Sequence, residues 1–187
     1  MRSESRRAVL DAALELVSGG LDAVTISALT ARSGVSNGSV YHHFGSRAGV
    51  FAVLYEESFR HSVDAMAPAL RAASVEAVVR GLVGHYLDWV VANPERARFL
   101  YAAPMTVEPV VKAAAFAPIA EWFAGRAAAG ELRDVPVWSL DPVVMGPAHE
   151  CARRFLLGVL DLAVVRAHVM DAVWSSVAPV GIVGTAC

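Results

Sequence analysis

The sequence from Thr25 to Arg47 reads T-I-S-A-L-T-A-R-S-G-V-S-N-G-S-V-Y-H-H-F-G-S-R. Thr25, Ser36 and Ser46 each stand where a side-chain oxygen can cap the N-terminus of a helix. Gly34 can take the left-handed conformation that ends a helix, because it has no Cβ. Three helix starts and one tight turn in so short a stretch are typical of a helix-turn-helix unit.

The two helices of that unit are predicted over residues 26–33 and 37–44, and a third helix is expected to start after Ser46. The second helix has two unlike faces. Val40 and Phe44 are spaced i, i+4 and can pack inward together. The remaining surface is small, polar or aromatic with a polar tip, and consists of Asn37, Gly38, Ser39, Tyr41, His42 and His43. Such a helix can enter the major groove of DNA, where asparagine and histidine bond base edges or phosphates.

The same stretch resembles the DNA-binding segment of the tetracycline-repressor (TetR) family. The residues that match the family pattern are Thr25, Gly34, Val35, Ser36, Gly38, Ser39, Val40, Tyr41, His43, Phe44, Ser46 and Arg47. The sequence departs from the pattern at Leu29-Thr30 and at Ser33, and Leu29 keeps an apolar anchor there. The resemblance implies a ligand-responsive DNA-binding transcription regulator, most often a repressor.

Roles within the segment follow from that resemblance. Thr25 is expected to contact phosphate at the start of the first helix. Asn37 and His42 fall on family-variable positions that face the groove, so we expect them to read bases. Gly38 lets the DNA backbone come close, and Arg32 is expected either to reach a phosphate or to remain in solvent. The other positions that contact phosphate in the family are occupied here by Ser36, Ser39, Tyr41, His43 and Arg47.

Bulk charge does not support DNA binding by itself. The chain carries a net charge of -2, and residues 1–60 hold six arginines and six acidic residues. The prediction therefore depends on where individual side chains are placed.

The expected location is cytoplasmic. Acidic residues interrupt the N-terminal helix, which argues against a signal peptide, and no apolar run reaches the roughly 20 residues of a membrane span. Cys151 and Cys187 provide neither a disulfide framework nor metal-ligand spacing, so no metal and no cofactor are expected.

Beyond the helix-turn-helix, the sequence predicts further helices and no paired strands. The content is 56% hydrophobic with a mean hydropathy of +0.47, enough for a large core and a partner interface. Pro118 is expected to interrupt one helix, and residues 135–140 are expected to form a loop before a helix opened by Asp141-Pro142. The predicted helices cover residues 4–18, 26–33, 37–44, 46–66, 74–92, 94–103, 108–129, 143–157 and 162–177.

The expected architecture is all-α with about nine helices. A DNA-binding domain is predicted over residues 1–46, with the helix-turn-helix motif at about residues 25–44. An effector-binding and dimerisation domain follows over residues 47–177, and residues 178–187 form a C-terminal tail. The resemblance implies a homodimer formed through the last two helices, at about residues 143–177, on a pseudo-palindromic double-stranded operator.

Aromatic residues, methionines and one histidine of the middle helices are candidates for an effector pocket. At helical spacing each is more often part of a core than of a pocket, and both interpretations stay open. Scarce charge in these helices favours an apolar or aromatic effector, held between helices as bundles commonly hold ligands. The candidates are Phe59, Met66, His85, Tyr86, Trp89, Phe99, Tyr101, Met105, Trp122 and Phe123.

The sequence bears on two function classes other than a regulator. A helical small-molecule binding protein without DNA activity is the alternative, and the intact helix caps and Gly34 argue against it. Catalysis is not expected, because His149, Glu150 and Cys151 are consecutive and consecutive helix residues do not face one another.

Overall fold

The computed structural model describes the backbone of residues 2–103 and 109–179 and the side chains of residues 4–103 and 112–179. Helices fill almost all of this part and no strand occurs in it, which confirms the predicted all-α fold. The helices are α1 (Arg2–Val17), α2 (Ile26–Ser33), α3 (Asn37–Phe44), α4 (Arg47–Met66), α5 (Val75–Ala92), α6 (Pro94–Ala102), α7 (Pro109–Ala128), α8 (Val137–Leu140), α9 (Gly146–Leu156) and α10 (Leu162–Val177).

Cap residues explain several helix ends. Ser74 Oγ accepts a hydrogen bond from the Ala77 N–H at 3.1 Å, and Asp161 Oδ1 accepts one from the Ala163 N–H at 2.8 Å. Asn93 stands at the N-cap position of α6, but its side chain makes no capping bond. α6 instead begins on a proline, whose fixed φ suits the first helical turn.

The predicted interruption at Pro118 is wrong, because α7 continues through it from Pro109 to Ala128. A proline inside a helix removes one hydrogen bond and costs about 3 kcal/mol. Alanines surround this one at positions 113–115, 117 and 120, and alanine has the highest helix propensity of all residues. The favourable residues on both sides offset the local loss.

The predicted loop at residues 135–140 is also wrong. Pro136 stands at the N-cap of α8, and its carbonyl accepts from the Ser139 N–H at 2.8 Å. Asp141 therefore does not open a helix, since the chain is already helical from Val137. Residues 141–145 form a π-helical turn that joins α8 to α9. Single helical turns are hard to predict because tertiary packing, here the burial of Leu140, decides them.

The backbone contacts divide the chain into two compact units. The first unit comprises Met1–His61 and Asn93–Pro109, and the second comprises Ser62–Ala92 and Val110–Cys187. The predicted boundary between residues 46 and 47 stays a prediction, as does the tail, most of which (residues 180–187) lies outside the described residues. In the first unit, α1 to α4 and α6 share one core, with Leu10, Leu29, Leu54 and Phe99 at its centre.

In the second unit, α10 lies against α5. Leu82 and Val83 of α5 and Val173 of α10 are buried. Arg166 Nη2 donates to Asp88 Oδ2 at 2.8 Å. A Cβ at Gly84 would lie 2.9 Å from Arg166 Nη2, so the glycine makes room for this arginine to cross α5.

Candidate nucleic-acid interface

The helix-turn-helix has the predicted bounds and caps. Thr25 Oγ1 accepts a hydrogen bond from the Ala28 N–H at 3.1 Å, and Ser36 Oγ accepts one from the Ser39 N–H at 3.3 Å. Gly34 ends α2 with φ 69°, in the left-handed region. These local bonds set the turn between α2 and α3 without help from distant residues.

The inner side of α3 is anchored in the core of the first unit. Val40 is fully buried and Phe44 is 8% exposed, and both belong to the cluster that contains Leu29 of α2. Burial of side chains of this size stabilises a helix by about 1.5–3 kcal/mol each. α3 is only two turns long, so this anchor is what holds its orientation.

The outer side of α3 consists of the polar residues that the sequence indicates. Asn37, Gly38 and His42 are exposed, and Tyr41 is 53% exposed. Tyrosine is enriched at binding interfaces, because its ring is apolar and its hydroxyl can form a hydrogen bond. Ser36 is exposed and Ser39 is half-buried at the start of the same helix, where free backbone N–H groups favour phosphate.

His43 differs from His42 in its surroundings. His43 is half-buried, with its ring 6.2 Å from the Phe44 ring in an edge arrangement. The His42 ring lies 5.3 Å from that of His43 and is exposed. The His42 side chain can therefore enter a DNA groove more easily than the His43 side chain, which is held against Phe44.

Gly38 has open space where a side chain would be. A Cβ built on it meets no atom within 4 Å, and its φ is not positive. Neither packing nor backbone conformation within the chain therefore requires glycine, which inside a helix costs roughly 0.5–1 kcal/mol relative to alanine. Close approach of another molecule would account for it.

Arg47 is tied into the first unit. Its Nε donates to the Val24 carbonyl at 2.7 Å and its Nη2 to the Leu21 carbonyl at 2.5 Å. Its guanidinium carbon also lies 4.7 Å from the centre of the Phe51 ring, and Asp22 Oδ1 is 3.9 Å from Nη2. Arg47 thus fastens the segment before α2 to the start of α4, and only its remaining N–H groups are available to a phosphate.

The other arginines near this surface are paired with carboxylates. Arg32 pairs with Glu15 of α1, and both side chains remain exposed to solvent. Arg6 pairs with Glu57 at 3.0 Å. The Arg6–Glu57 pair is partly buried, whereas the Arg32–Glu15 pair is exposed. Exposed pairs contribute about 0–1 kcal/mol, so a phosphate can displace the Glu15 carboxylate from Arg32.

The sequence did not indicate that α6 belongs to this unit. Phe99 is fully buried, with its ring 5.5 Å from that of Phe51 and 6.3 Å from that of Tyr55. Arg96 donates to the buried Ser58 hydroxyl at 3.1 Å, and burial lowers the pKa of its guanidinium from the usual value. An apolar residue of α6 thus completes the core that supports α3, which no local pattern could predict.

Gly49 is a second residue whose importance the sequence did not indicate. A Cβ there would lie 1.8 Å from the Phe44 carbonyl oxygen. The first turn of α4 therefore passes directly against the end of α3, and glycine is required for that approach. The Ser46 hydroxyl also accepts from the Gly49 N–H at 3.0 Å, which confirms Ser46 as a cap.

The predicted effector residues are distributed over both units. Phe99 is a core residue of the first unit, which also contains the half-buried Phe59 and the exposed Tyr101. Met105 lies outside the described residues. The other six, Met66, His85, Tyr86, Trp89, Trp122 and Phe123, belong to the second unit.

Within the second unit, Tyr86 is the centre of an aromatic cluster. Its ring is stacked on Trp89 at 6.0 Å and meets His149 edge-on at 5.0 Å. Burial lowers the pKa of His149 from its usual value, while the Asp141 carboxylate acts weakly in the opposite sense. His85 Nδ1 lies 3.3 Å from the Ala65 carbonyl.

A cavity of about 160 Å³ lies beside α7 in the second unit. Of the predicted effector residues, Phe123 lines it. Arg133 and Asp134 give it one charged side chain of each sign, and the rest of its lining is apolar. The lining residues are Ala120, Phe123, Ala124, Ala127, Arg133, Asp134, Val135, Pro136, Val137 and Leu140.

No metal site and no membrane span are found in the described part of the chain. It holds no group of three or more His, Cys, Asp or Glu residues placed to bind a metal ion. None of its helices is long and apolar enough to cross a membrane.

Comparison with known families finds a match for the part of the chain that carries this surface. Residues 9–54, from α1 to the first half of α4, match the model of bacterial regulatory proteins of the tetR family. This region of the chain is therefore similar to the DNA-binding region of tetR-family regulators. Members of the tetR family bind operator DNA and small-molecule effectors, typically as dimers.

Solved structures of the tetR family share the fold over nearly the whole chain. A transcription regulator from Shewanella sp. PV-4 is 24% identical with a TM-score of 0.78, covering 93% of this chain and 98% of that one. One from Marinobacter aquaeolei VT8 is 16% identical with a TM-score of 0.80, covering 95% and 97%. FadR from Bacillus subtilis, solved with stearoyl-CoA, is 15% identical with a TM-score of 0.74, covering 91% and 98%. No curated protein matches the chain.

Proposed function

We propose that this protein is a DNA-binding transcription regulator of the tetR type, a repressor that binds a pseudo-palindromic operator as a homodimer and is released by a small apolar or aromatic effector. The observation that carries the DNA part is the outer side of α3. There an exposed tyrosine, Tyr41, stands beside Gly38, which nothing inside the protein requires. Both features suit a helix that closely approaches a nucleic acid.

The proposed contacts divide into two kinds. Asn37 and His42 are exposed on α3 and would read base edges in the major groove. Tyr41, with the hydroxyls of Ser36 and Ser39 at the start of the helix, would bind phosphates and position α3 without sequence preference. Thr25 and His43 would contribute further phosphate contacts from the two ends of the motif.

The two arginines have different proposed roles. Arg32 would exchange its Glu15 partner for a phosphate, at little cost because the pair is exposed. Arg47 would act mainly by holding the segment before α2, since two of its N–H groups already serve the Leu21 and Val24 carbonyls. Its remaining N–H groups would still add a phosphate contact.

Dimerisation is proposed through α9 and α10, at residues 143–177. The outward surface of α10 carries small residues, including Ala163, Ala167 and Ala172, with Val164 69% exposed. Small residues let two helices approach closely. The two α3 helices of such a dimer would contact half-sites about 34–36 Å apart, or a multiple of that distance. An effector that favours a conformation with another distance between these two helices would release the DNA.

The cavity beside α7 supports a small effector. Ligand pockets usually measure about 300–1,000 Å³, and a cavity of about 160 Å³ is smaller than that. FadR from Bacillus subtilis was solved with stearoyl-CoA, but a long acyl chain would need more room than this cavity offers. Its apolar lining, with Arg133 and Asp134, suits a compact apolar molecule with a polar end.

Selection of bound duplexes from a random DNA pool tests the proposal. We expect a selected site with two related half-sites in inverted orientation, bound by the dimer at fixed salt. Compounds that release the selected DNA in a fluorescence anisotropy assay would then identify the effector class. Failure to select any duplex, even at low salt where phosphate contacts are strongest, would instead support a small-molecule binding protein without DNA activity.

A further inference from the structure

The cavity beside α7 has an apolar interior and two opposite charges at its mouth. The second half of α7 borders it on one side, and residues 133–137, which lead into α8, border it on the other. All of its lining residues except Arg133 and Asp134 are apolar. These two side chains are exposed, so their charges lie where the cavity opens to solvent.

Arg133 is fixed in place by the end of α10. Its backbone N–H donates to the Val177 carbonyl at 2.8 Å, and its Nε donates to the Ala178 carbonyl at 2.7 Å. Carbonyl groups at the C-terminal end of a helix lack partners within the helix, so both bonds satisfy acceptors that need a donor. The Arg133 Nη groups make no hydrogen bond to any described residue, and they are available to a ligand.

The protein does not neutralise either charge at the mouth. Arg133 and Asp134 form no ion pair with each other or with any other residue whose side chain the structure describes. Glu131, the other acid of this loop, binds Arg126 at 2.9 Å instead. A ligand at the mouth therefore meets one cation and one anion that both lack a partner in the described ranges 4–103 and 112–179.

The size of the cavity limits the apolar part of its ligand. An apolar cavity of about 150 Å³ in a protein interior binds benzene. The volume of about 160 Å³ beside α7 is similar, so it can hold an apolar body of roughly four to seven carbon atoms. A branched aliphatic chain or a single aromatic ring is within that range.

The two charges select among compact apolar ligands. A neutral hydrocarbon brings a partner for neither of them. A simple carboxylic acid would pair with Arg133 but place its negative charge beside Asp134, and a simple amine would pair with Asp134 but place its positive charge beside Arg133. Like charges brought together in a binding site cost affinity. A ligand that carries both charges next to an apolar body satisfies the whole mouth.

We propose that the cavity beside α7 binds an apolar α-amino acid. Its carboxylate would accept hydrogen bonds from the Arg133 Nη groups, its ammonium group would pair with the Asp134 carboxylate, and its side chain would fill the interior against Phe123. This inference rests on the proposed effector site and names the chemical class of its ligand. Because Arg133 is bonded to the end of α10, one side chain would connect the bound carboxylate to a helix of the proposed dimer interface.

Matched ligands test the recognition of both charges. In isothermal titration calorimetry with the full chain, at least one of L-leucine and L-phenylalanine is expected to bind. Isocaproate and isoamylamine keep the leucine carbon skeleton but lack its amino or its carboxyl group, and phenylpropionate and phenethylamine do the same for phenylalanine. Each analogue is expected to bind at least about tenfold more weakly than its parent, because it loses a hydrogen bond to a charged group.

Glycine is the control ligand that keeps both charges and lacks the apolar body, and its binding should not be measurable. An analogue that binds as tightly as its parent amino acid would overturn the inference. The absence of binding by both L-leucine and L-phenylalanine would overturn it as well.

Charge-removing variants assign each end of the ligand to one residue. Asp134→Asn is expected to remove the preference for the amino acid over its analogue without the amino group. Arg133→Gln should remove the preference over the analogue without the carboxyl group. Arg126→Gln is the control, because Arg126 pairs with Glu131 and does not line the cavity, and it should keep both preferences. Preferences that survive in Asp134→Asn and Arg133→Gln would refute these contacts.

A space-filling variant tests the apolar interior. Ala127→Leu is expected to weaken binding of the amino acid at least about tenfold, because the added side chain occupies space that the ligand needs. Ala128→Leu is the matched control, since Ala128 is the exposed neighbour on α7 and does not line the cavity. Circular dichroism checks that both variants are folded. Full affinity in a folded Ala127→Leu protein would place the amino acid elsewhere and overturn the inference.

DNA release separates this inference from the proposed function. The amino acid that binds is expected to lower the fluorescence anisotropy of a selected operator bound to the protein, and Ala127→Leu should abolish this effect. Binding without DNA release would uphold the ligand class and refute the effector role of the cavity. Release by a different compound that acts equally on Ala127→Leu, with no binding of either amino acid, would overturn the inference and leave the proposed repressor intact.

Discussion

The Arg47 side chain donates a hydrogen bond from Nε to the Val24 carbonyl at 2.7 Å, across more than twenty residues of sequence. The carbonyl it reaches lies immediately before the Thr25 cap of α2. Arg47 therefore connects the start of α4 to the start of the helix-turn-helix. Arg47, which the sequence predicts to contact phosphate, therefore also stabilises the DNA-binding surface.

Arg47→Ala should destabilise the protein. It leaves the Leu21 and Val24 carbonyls without their charged donor, a loss of about 1–3 kcal/mol for each hydrogen bond to a charged group. Urea denaturation followed by circular dichroism measures the free energy of unfolding. Arg32→Ala is the control and should change it by less than about 1 kcal/mol, because its pair with Glu15 is exposed. Equal effects of the two variants would refute the structural role of Arg47.

Gly38→Ala should have opposite effects on stability and on DNA binding. The free energy of unfolding should rise by up to about 1 kcal/mol, since alanine favours the helix and its Cβ meets nothing. Affinity for a selected operator should fall, because the methyl group would stand between α3 and the DNA. Gly125→Ala, at another open helical glycine, should raise the free energy of unfolding by a similar amount and leave DNA affinity unchanged. Retained affinity in Gly38→Ala would show that DNA does not approach there.

Tyr41→Ala and His42→Ala should weaken binding in different ways. Loss of Tyr41 removes a phosphate contact, so affinity for operator and for unrelated DNA should fall alike. Loss of His42, or of Asn37, should relax the preference at particular base pairs by about 1–3 kcal/mol each. Fluorescence anisotropy against a panel of single-base operator variants, at one salt concentration, separates the two. Unchanged affinity in all three variants would show that α3 does not read DNA.

Phe99→Ala should destabilise the DNA-binding unit, although Phe99 lies far from α2 and α3 in the sequence. Removal of a fully buried phenylalanine costs about 3–5 kcal/mol. Hydrogen exchange should show faster opening of α1 and α2, which share its core. Tyr101→Ala, in the same helix but 36% exposed, is the control and should have a much smaller effect. Unaltered exchange in α1 of the Phe99→Ala protein would contradict the shared core.

The half-buried His149 should make stability depend on pH. Burial lowers its pKa below the usual 6.5, so the unfolded chain binds a proton first as the pH falls. The free energy of unfolding should therefore decrease on going down through pH 6.5 and level off below the folded-state pKa. His149→Gln should flatten this part of the profile. A profile that survives in His149→Gln would assign the titration to another group.

The resemblance to the tetR family could be read from the sequence because its evidence is local. Thr25, Gly34 and Ser36 define the turn through caps and a left-handed glycine, and each acts on atoms within a few residues. The spacing of Val40 and Phe44 likewise predicted which side of α3 is buried. Two predictions were wrong for different reasons. Pro118 does not break α7, because the surrounding alanines favour the helix, and Val137–Leu140 is helical instead of a loop, because the burial of Leu140 decides that turn.

Several features of the site were decided only by tertiary structure. Arg47 resembled a phosphate ligand, yet packing brings it within reach of the Leu21 and Val24 carbonyls. Phe99 was a candidate for the effector pocket, yet it completes the core behind α3. Caps and periodicity depend on bonds within one or two turns, which a sequence displays directly. Core membership and the partner of a long side chain depend on which distant segments meet, and only the folded chain determines that.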